Sequence, residues 1–554
     1  MDGLMQPRPL TIAHVFERAE TLFGHKRVVD ADGGVTDYRT WAGRVRRLVS
    51  ALDALEVPAG ARVGTLASNH RRHLEVYAAV PISKRVLHTV NIRLSPDDLV
   101  YVVEHGGDDV VFVDQRLLPV VRACLDRLPR VRRWVVFPDD SGHDLPADPR
   151  FLDYDALVAQ QSPFVGSFEA RFESAEESLA AGLCYTSGTT GRPKGVLYSH
   201  RSTVLHCLGT MAAGLVGVCE RDVVLPIVPM FHANAWGLPY AALMAGADLV
   251  LPGPSSAREH LAGLMERHRV TLAAAVPTVW TDLLPGLAGR DLRALRLLLG
   301  GGSMITPELS AAYERTVGVP LTHSWGMTEV SPVGAIGGLR SQHDGLDDDA
   351  RSAVRAAQGQ PVPLVSMRVV DAETGTPRPH DGRSVGELQV SGPWVASGYF
   401  RGEGSDSVTD DGWLRTGDLA TIDEQGYLRL VDRLKDLIKS GGEWISSVEL
   451  ETAIATHPDV EQVAVVGRDD PRWVERPVAF VVVRPGANTD ADQLREHLAP
   501  LVASWWVPDD FVIVDALPTN GTGKLSKETL RRSLRAAAPA YADPAQPERR
   551  PGPT

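Results

Sequence analysis

"LAAGLCYTSGTTGRPKGVLYSH", residues 179–200, sets two apolar segments on either side of a loop built from hydroxyl residues, glycines and one lysine. The flanks read as two strands bounded by turn formers. Glycine lets a backbone approach a phosphate closely and aim its N–H groups at it. The hydroxyls of Thr186, Ser187, Thr189 and Thr190 add donors, and Lys194 supplies charge. The spacing is not that of a P-loop: Gly188 and Gly191 are three residues apart, and Pro193 precedes Lys194. Taken alone, such a run is also what a flexible surface loop looks like. The strand-like flanks favour a loop at the end of a sheet.

The surrounding chain supplies the sheet. "YRTWAGRVRRLVSALDALEV" (38–57) places Trp41, Val45, Leu48, Val49, Leu52 and Leu55 at helical spacing, and "ARVGTLA" (61–67), "DVVFVD" (109–114) and "RRWVVFP" (132–138) read as strands. The same α/β rhythm resumes in "ADLVLPG" (247–253), the helical "AREHLAGLMERHRV" (257–270), "TLAAAVP" (271–277) and "LRLLLGGGS" (295–303). Strands that run into glycines suit ligand binding at the carboxyl edge of a sheet. From about Gly359 the runs shorten and acquire polar turns, as in "GELQVSG" (386–392), which predicts a β-rich part. A last unit follows, with helices over 446–460 and 490–500, strands "VEQVAVVGR" and "VAFVVVRPG", and a terminal helix ending near Ala537. The Pro- and Ala-rich residues 538–554 are expected to be disordered.

At 554 residues the chain exceeds one core and calls for several. A net charge of −13 argues against general nucleic-acid binding, so an anionic ligand must be met by local cations. The four cysteines lack CxxC spacing, which indicates neither a zinc cluster nor a disulfide framework and suits a cytoplasmic setting. No apolar stretch has the length of a signal peptide core or a membrane span, so a soluble protein is expected.

Six further stretches accompany the loop in order: "PMFHANAW" (229–236), "GGGS" (300–303), "SWGMTE" (324–329), "RTGD" (415–418), "DRLKDLIKSGGEWIS" (432–446) and "PTNGTGK" (518–524). With "YTSGTTGRPKG" they resemble the motifs of the adenylate-forming superfamily of acyl-CoA synthetases, aryl-CoA ligases, luciferases and nonribosomal adenylation domains. The resemblance covers nearly the whole chain and is nearest to bacterial medium- and long-chain fatty-acyl-CoA synthetases. It implies a large N-terminal domain, residues 1–434, of two α/β subdomains plus the β-rich subdomain, and a small mobile α+β C-terminal domain, residues 435–537. A homodimer is implied too.

The resemblance also implies roles, each with a chemical reason. Activating a carboxylate with ATP requires in-line attack on the α-phosphate and stabilisation of the charge that develops there. The loop residues Thr186, Ser187, Gly188, Thr189, Thr190 and Lys194 would hold the outer phosphates. Thr328 would hydrogen-bond the α-phosphate, and Glu329, with Thr189, would ligate Mg²⁺, an ion that takes few carboxylates beside phosphate oxygens. Adenine would lie against Gly301, Gly302 and Ser303 and against the Ser324–Trp325–Gly326–Met327 segment. Asp418 and Arg433 would take the ribose, with Trp444 also at the nucleotide. Lys524 would reach the α-phosphate during adenylation, and Lys439 would serve the CoA half-reaction after rotation about Lys435. Ser440, Gly441, Gly442 and Glu443 would form the CoA channel.

In the acyl pocket, Trp236 would gate the chain and His232 would lie near the carboxylate, with Ala235, Gly237 and Val333 beside them. Where relatives commonly carry glutamine and glycine before the aromatic of "SWGMTE", this chain has His323 and Ser324. Their bulk and polar atoms predict a shortened or more polar pocket. The expected function is an ATP-, Mg²⁺- and CoA-dependent acid–CoA ligase acting through an acyl-adenylate, on a fatty acid or, next, an aryl or arylpropenoic acid. Two rivals are an adenylating enzyme without CoA, such as one that activates nitrite for diazotisation of an aryl amine, and a non-catalytic binding protein of the same fold.

Overall fold

A computed structural model describes residues 3–186, 192–441, 443–519 and 525–537, the side chains of Asp349 and Ser405 excepted. The residues expected to be disordered, 538–554, lie outside these. The described chain divides into a unit that runs to Leu430 and a second that starts at Val431.

Among the described residues the first unit holds three sheets. The seven-stranded sheet runs Phe151–Asp153, Arg133–Phe137, Asp108–Asp114, Arg62–Leu66, Val86–Thr89, Ala180–Tyr185, Gly195–Ser199, and only the last strand is antiparallel to its neighbour. The flanks of the opening stretch are therefore a hairpin at the sheet's edge. In the nine-stranded sheet the strands Leu321–Gly326, Leu297–Gly301, Leu272–Ala275, Val223–Pro226, Asp248–Val250 and Arg27–Val29 are adjacent and parallel. Gln360–Pro361 still belongs to that sheet, so the four-stranded antiparallel sheet begins at Ser366.

Local chemistry explains the helices between them. Asp37 caps Tyr38–Ala54 by accepting from the Thr40 N–H, and Tyr38, Trp41, Val45, Leu48, Val49 and Leu52 form its buried face. Leu55, expected inside this helix, is its C-cap. Ser199 and Ser202 cap His200–Met211 reciprocally, so this helix starts directly at the end of the edge strand. Residues from six helices, the turn Ala233–Trp236 and all three sheets share one apolar cluster. Each fully buried Leu, Val or Phe there contributes about 1.5–3 kcal/mol relative to exposure.

The second unit shows the period of two directly. Along Val460–Asp470 and Val474–Val483, Val465, Ala479 and Val481 pack with Leu450, Ile454, Leu494 and Leu498 of the helices Ser447–Ala455 and Ala491–Leu498. Ala464, Val466, Val478 and Phe480 point the other way, to Leu530 of Lys527–Ala537. Lys527 fastens that last helix through Glu451 at 2.7 Å, and Arg531 through Asp436 at 2.7 Å. The four cysteines are free, and among the described residues no helix is long and apolar enough to cross a membrane.

Candidate active site

The parallel strands Val223–Pro226, Leu272–Ala275, Leu297–Gly301 and Leu321–Gly326 end at one edge of the nine-stranded sheet, and "PMFHANAW", "GGGS" and "SWGMTE" all lie at those ends. Three motifs far apart in sequence converge there for a topological reason: the carboxyl edge of a parallel sheet gathers the loops that follow its strands.

The lysine end of the hydroxyl-glycine loop is held by its own stem. Tyr185 pairs with Gly195, the Thr186 N–H donates to the Lys194 carbonyl at 2.9 Å, and the Lys194 N–H donates to Thr186 Oγ1 at 3.1 Å. Lys194 Nζ lies 5.0 Å from the centroid of the Tyr399 ring, whose hydroxyl donates to Glu329 Oε1 at 2.5 Å. Burial, and then the neighbouring Glu329 charge, holds the Tyr399 hydroxyl protonated far above its ordinary range, which keeps it a donor. Thr328 and Glu329 occupy a buried turn, Thr328–Val330, fixed by the Tyr198 hydroxyl on the Thr328 carbonyl at 2.7 Å and the Ala396 N–H on the Glu329 carbonyl at 2.7 Å. Lys194, Thr328 and Glu329 were legible as candidates. Tyr399 and Tyr198 were not, since neither stands in a recognisable pattern.

On the neighbouring side, Trp325 Nε1–H donates to Asp418 Oδ2 at 2.9 Å, with both residues buried. This bond joins "SWGMTE" to "RTGD", which lies inside the strand Leu414–Ile422 and not in an isolated turn. Gly301 has no room for a side chain: a Cβ there would fall 2.7 Å from Ser324 Oγ and 3.4 Å from the Trp236 indole. Gly302 follows with φ +87°, and Ser303 is exposed. At Gly326 a Cβ would meet the Pro332 carbonyl oxygen at 2.0 Å, and the Met327 N–H donates to that oxygen at 3.0 Å.

The turn bearing Trp236 is left-handed. Ala233, Asn234, Ala235, Trp236 and Gly237 have φ of 43°, 51°, 48°, 57° and 72°. Each non-glycine residue in that region costs about 1–2 kcal/mol. Half-buried His232 opens the turn, accepting the Ala235 N–H on its carbonyl at 3.0 Å. The imidazole of His206 fills the space a Gly237 Cβ would need, with Nδ1 at 2.6 Å, and its Nε2 accepts the Val333 N–H at 3.4 Å. Burial pushes the His206 pKa down to about 4, so the ring is neutral. Gly237 and Val333, both candidates for the acyl pocket, thus meet across a histidine that carried no signal in the sequence.

Ser324 and His323 separate. Alternation along Leu321–Gly326 sends them to opposite faces. Ser324 Oγ donates to the Gly300 carbonyl at 3.0 Å on the Trp236 side, whereas His323 Nδ1 lies 3.5 Å from Gln358 Nε2. His323 is buried and held neutral by that burial, with a pKa near 4.

The remaining candidates fall elsewhere. Arg433, Lys435, Lys439, Ser440, Gly441, Glu443 and Trp444 belong to the second unit. There Lys439 and Trp444 are cross-strand partners with Nζ 5.4 Å from the ring, and the Lys439 N–H donates to Glu475 Oε2 at 2.8 Å. Ser187, Gly188, Thr189, Thr190, Gly442 and Lys524 lie outside the described residues.

The chain matches the family described as AMP-binding enzyme over residues 16–400, and that of the AMP-binding enzyme C-terminal domain over 449–524. It is 42% identical to the 3-methylmercaptopropionyl-CoA ligase of Ruegeria lacuscaerulensis, covering 97% of this chain and 99% of that one. It is 43% identical to the long-chain-fatty-acid–CoA ligase of Thermus thermophilus, covering 96% and 97%. Among solved structures, ATP-bound MatB from Rhodopseudomonas palustris superposes with a TM-score of 0.82 at 27% identity, covering 94% of this chain and 99% of the other.

Proposed function

The chain belongs to the AMP-binding enzyme family, and from that premise we propose an ATP-dependent acid–CoA ligase that forms an acyl-adenylate with release of pyrophosphate and then a CoA thioester. The observation in the fold that carries the proposal is the contact sequence Lys194–Tyr399–Glu329 at the mouth of the hairpin, with the Trp325–Asp418 pair beside it. One cation and one buried carboxylate, bridged by a tyrosine, suit a polyphosphate and its counter-ion.

Glu329 fits a magnesium ion that arrives with nucleotide. Among the described residues no cluster of three or more His, Cys, Asp or Glu side chains could hold a metal, and a single buried carboxylate is what Mg²⁺ uses when phosphate oxygens complete its shell. Bound there with Thr189, the ion would neutralise charge on the phosphates. Tyr399 orients the carboxylate, Lys194 offsets negative charge at the loop, and Thr328 offers its hydroxyl toward the α-phosphate. The Trp325 ring and the backbone at Gly301, Gly302 and Ser303 take the adenine, while Asp418 takes the ribose together with Arg433. Lys524 serves adenylation, and Lys439, with the 440–443 segment, serves thioester formation after a rotation about Lys435.

The proposed acid is aliphatic. Because the Ser324 hydroxyl is already satisfied by the Gly300 carbonyl, it adds bulk to the Trp236 side without an unmet polar group, and His323 faces away. This favours a shortened fatty-acyl chain over a polar or aryl acid, in keeping with the fatty-acid and methylmercaptopropionyl specificities in the relatives' names. The homodimer and the cytoplasmic setting are part of the same proposal.

The test is ATP–pyrophosphate exchange over a panel of straight-chain acids, aryl acids and nitrite, followed by thiol consumption on adding CoA. Exchange greatest with short or medium straight-chain acids, and loss of free CoA thiol, are expected. Exchange without thiol loss would point to another acceptor, and no exchange with any acid would overturn the ligase reading. Lys524→Ala should block exchange yet still convert supplied acyl-adenylate to thioester.

A further inference from the structure

The left-handed turn Ala233–Gly237 needs something to hold it, since five successive residues with φ between 43° and 72° do not persist unless their surroundings determine them. The holding groups are buried and polar. Asn234, itself of a type that tolerates this region, is 6% exposed, and its Oδ1 accepts from the Cys184 thiol at 3.3 Å and lies 3.4 Å from the Tyr77 hydroxyl. That hydroxyl also donates to the Met230 carbonyl. Behind it, Asn69 is 3% exposed and uses its whole amide on the same segment: Nδ2 donates to the Pro226 and Val228 carbonyls, both at 2.9 Å, and Oδ1 accepts the Met230 N–H at 2.7 Å.

These partners are not neutral scaffolding. Cys184 immediately precedes Tyr185, the residue that closes the stem of the hydroxyl-glycine loop, and Trp236 lies two residues beyond Asn234. One side chain thus ties the strand carrying the loop to the turn carrying the indole that abuts Gly301.

We propose that Asn234 is a positioning residue for acid selection, locking the left-handed turn so that the Trp236 indole stands at one fixed depth beside Gly301 and sets the length of chain accepted. The proposal rests on the reading of Trp236 as the gate of the acyl pocket and concerns the depth at which the turn mounts that gate. A turn released from its clamp relaxes toward right-handed backbone, and the indole then occupies several depths and measures none of them.

Two variants test it. Asn234→Gly keeps the backbone's freedom at positive φ and deletes only the clamp, and Tyr77→Phe removes one hydroxyl while keeping the ring. For each, kcat/KM is measured by pyrophosphate exchange across straight-chain acids from short to long, together with KM for ATP and the melting temperature. The preference for the best acid over the next longer ones, of about tenfold or more in the parent, should fall to about threefold or less in Asn234→Gly. Tyr77→Phe should move the same way by a smaller factor, with KM for ATP held within about twofold in both. If Asn234→Gly is unfolded, Tyr77→Phe alone decides by the same ratio. An unchanged length profile in the folded variants, while Trp236→Ala alters it, would overturn the role of Asn234 and leave the pocket reading standing. An unchanged profile in Trp236→Ala would overturn the pocket reading itself.

Discussion

The hydroxyl of Tyr399 donates to Glu329 Oε1 at 2.5 Å and comes from a different part of the first unit, outside every motif that marks the site. It is the partner that fixes the direction of the carboxylate. Tyr399→Phe keeps the ring next to Lys194 and removes only the donor. A hydrogen bond to a charged group is worth about 1.5–3 kcal/mol, so exchange should fall about 10- to 100-fold, most severely at limiting Mg²⁺. Exchange that stays at the parent rate over the whole Mg²⁺ titration would remove Tyr399 from the machinery.

Trp325→Phe retains an aromatic face and loses the Nε1 donor to Asp418. With a net cost of about 1 kcal/mol, KM for ATP should rise roughly fivefold while the order of preference among acids stays as it was. A raised KM for acid with that for ATP unaltered would place the indole on the wrong ligand.

Gly237→Ala drives a methyl group to 2.6 Å from His206 Nδ1 at a residue with φ +72°. Overpacking and backbone strain together should cost roughly 2–4 kcal/mol in urea denaturation. Adding His206→Ala to the same chain should return part of that loss, because the two changes share one space. Strict additivity of the two single variants would show that the imidazole is not what the methyl group meets.

His206 and His323 are neutral in the folded chain, with pKa near 4 against an ordinary 6.5, and His73 and His200 are lowered the same way, to about 3 and about 4. Between about pH 4 and 6.5 the unfolded chain binds protons that the folded chain refuses. Their stabilising contribution is whole above pH 6.5 and is lost as pH falls toward 4, by up to about 3 kcal/mol for each group. The urea midpoint should therefore drop steadily on acidification through this window. Replacing His206 by Gln should flatten the slope there, whatever it does to the midpoint at neutral pH.

Much of the frame was legible because period and punctuation are local. "VEQVAVVGR" announces a strand through alternation, and the structure spends that alternation on two separate cores. Lys194, Thr328, Glu329, Trp325 and Asp418 stood out as candidates through the resemblance of their motifs, taken together, to those of the adenylate-forming superfamily. What stayed hidden was the set of partners those residues meet in space. His206 lies within a helix whose other buried residues are equally plain, and Tyr399 is one of two adjacent aromatics, Tyr399 and Phe400, set between glycines. Their meaning depends on which strands lie side by side, and strand order is not written in any one segment. His323 and Ser324 part because they alternate along Leu321–Gly326, a largely polar stretch whose period of two shows only once its neighbouring strands are in place.

Gly301 has a further consequence. The space a Cβ would take there is bounded by the Trp236 indole at 3.4 Å, and on the functional reading the same backbone carries adenine, so acid and nucleotide would share a partition with no side chain to cushion it. On that reading a load on either face would be felt on the other, and the two ligands would be thermodynamically linked. Acid affinity measured by calorimetry should differ with and without a non-hydrolysable ATP analogue, and the analogue's affinity should change with acid by the same factor. Through Gly301, acid and ATP would then act as each other's effectors.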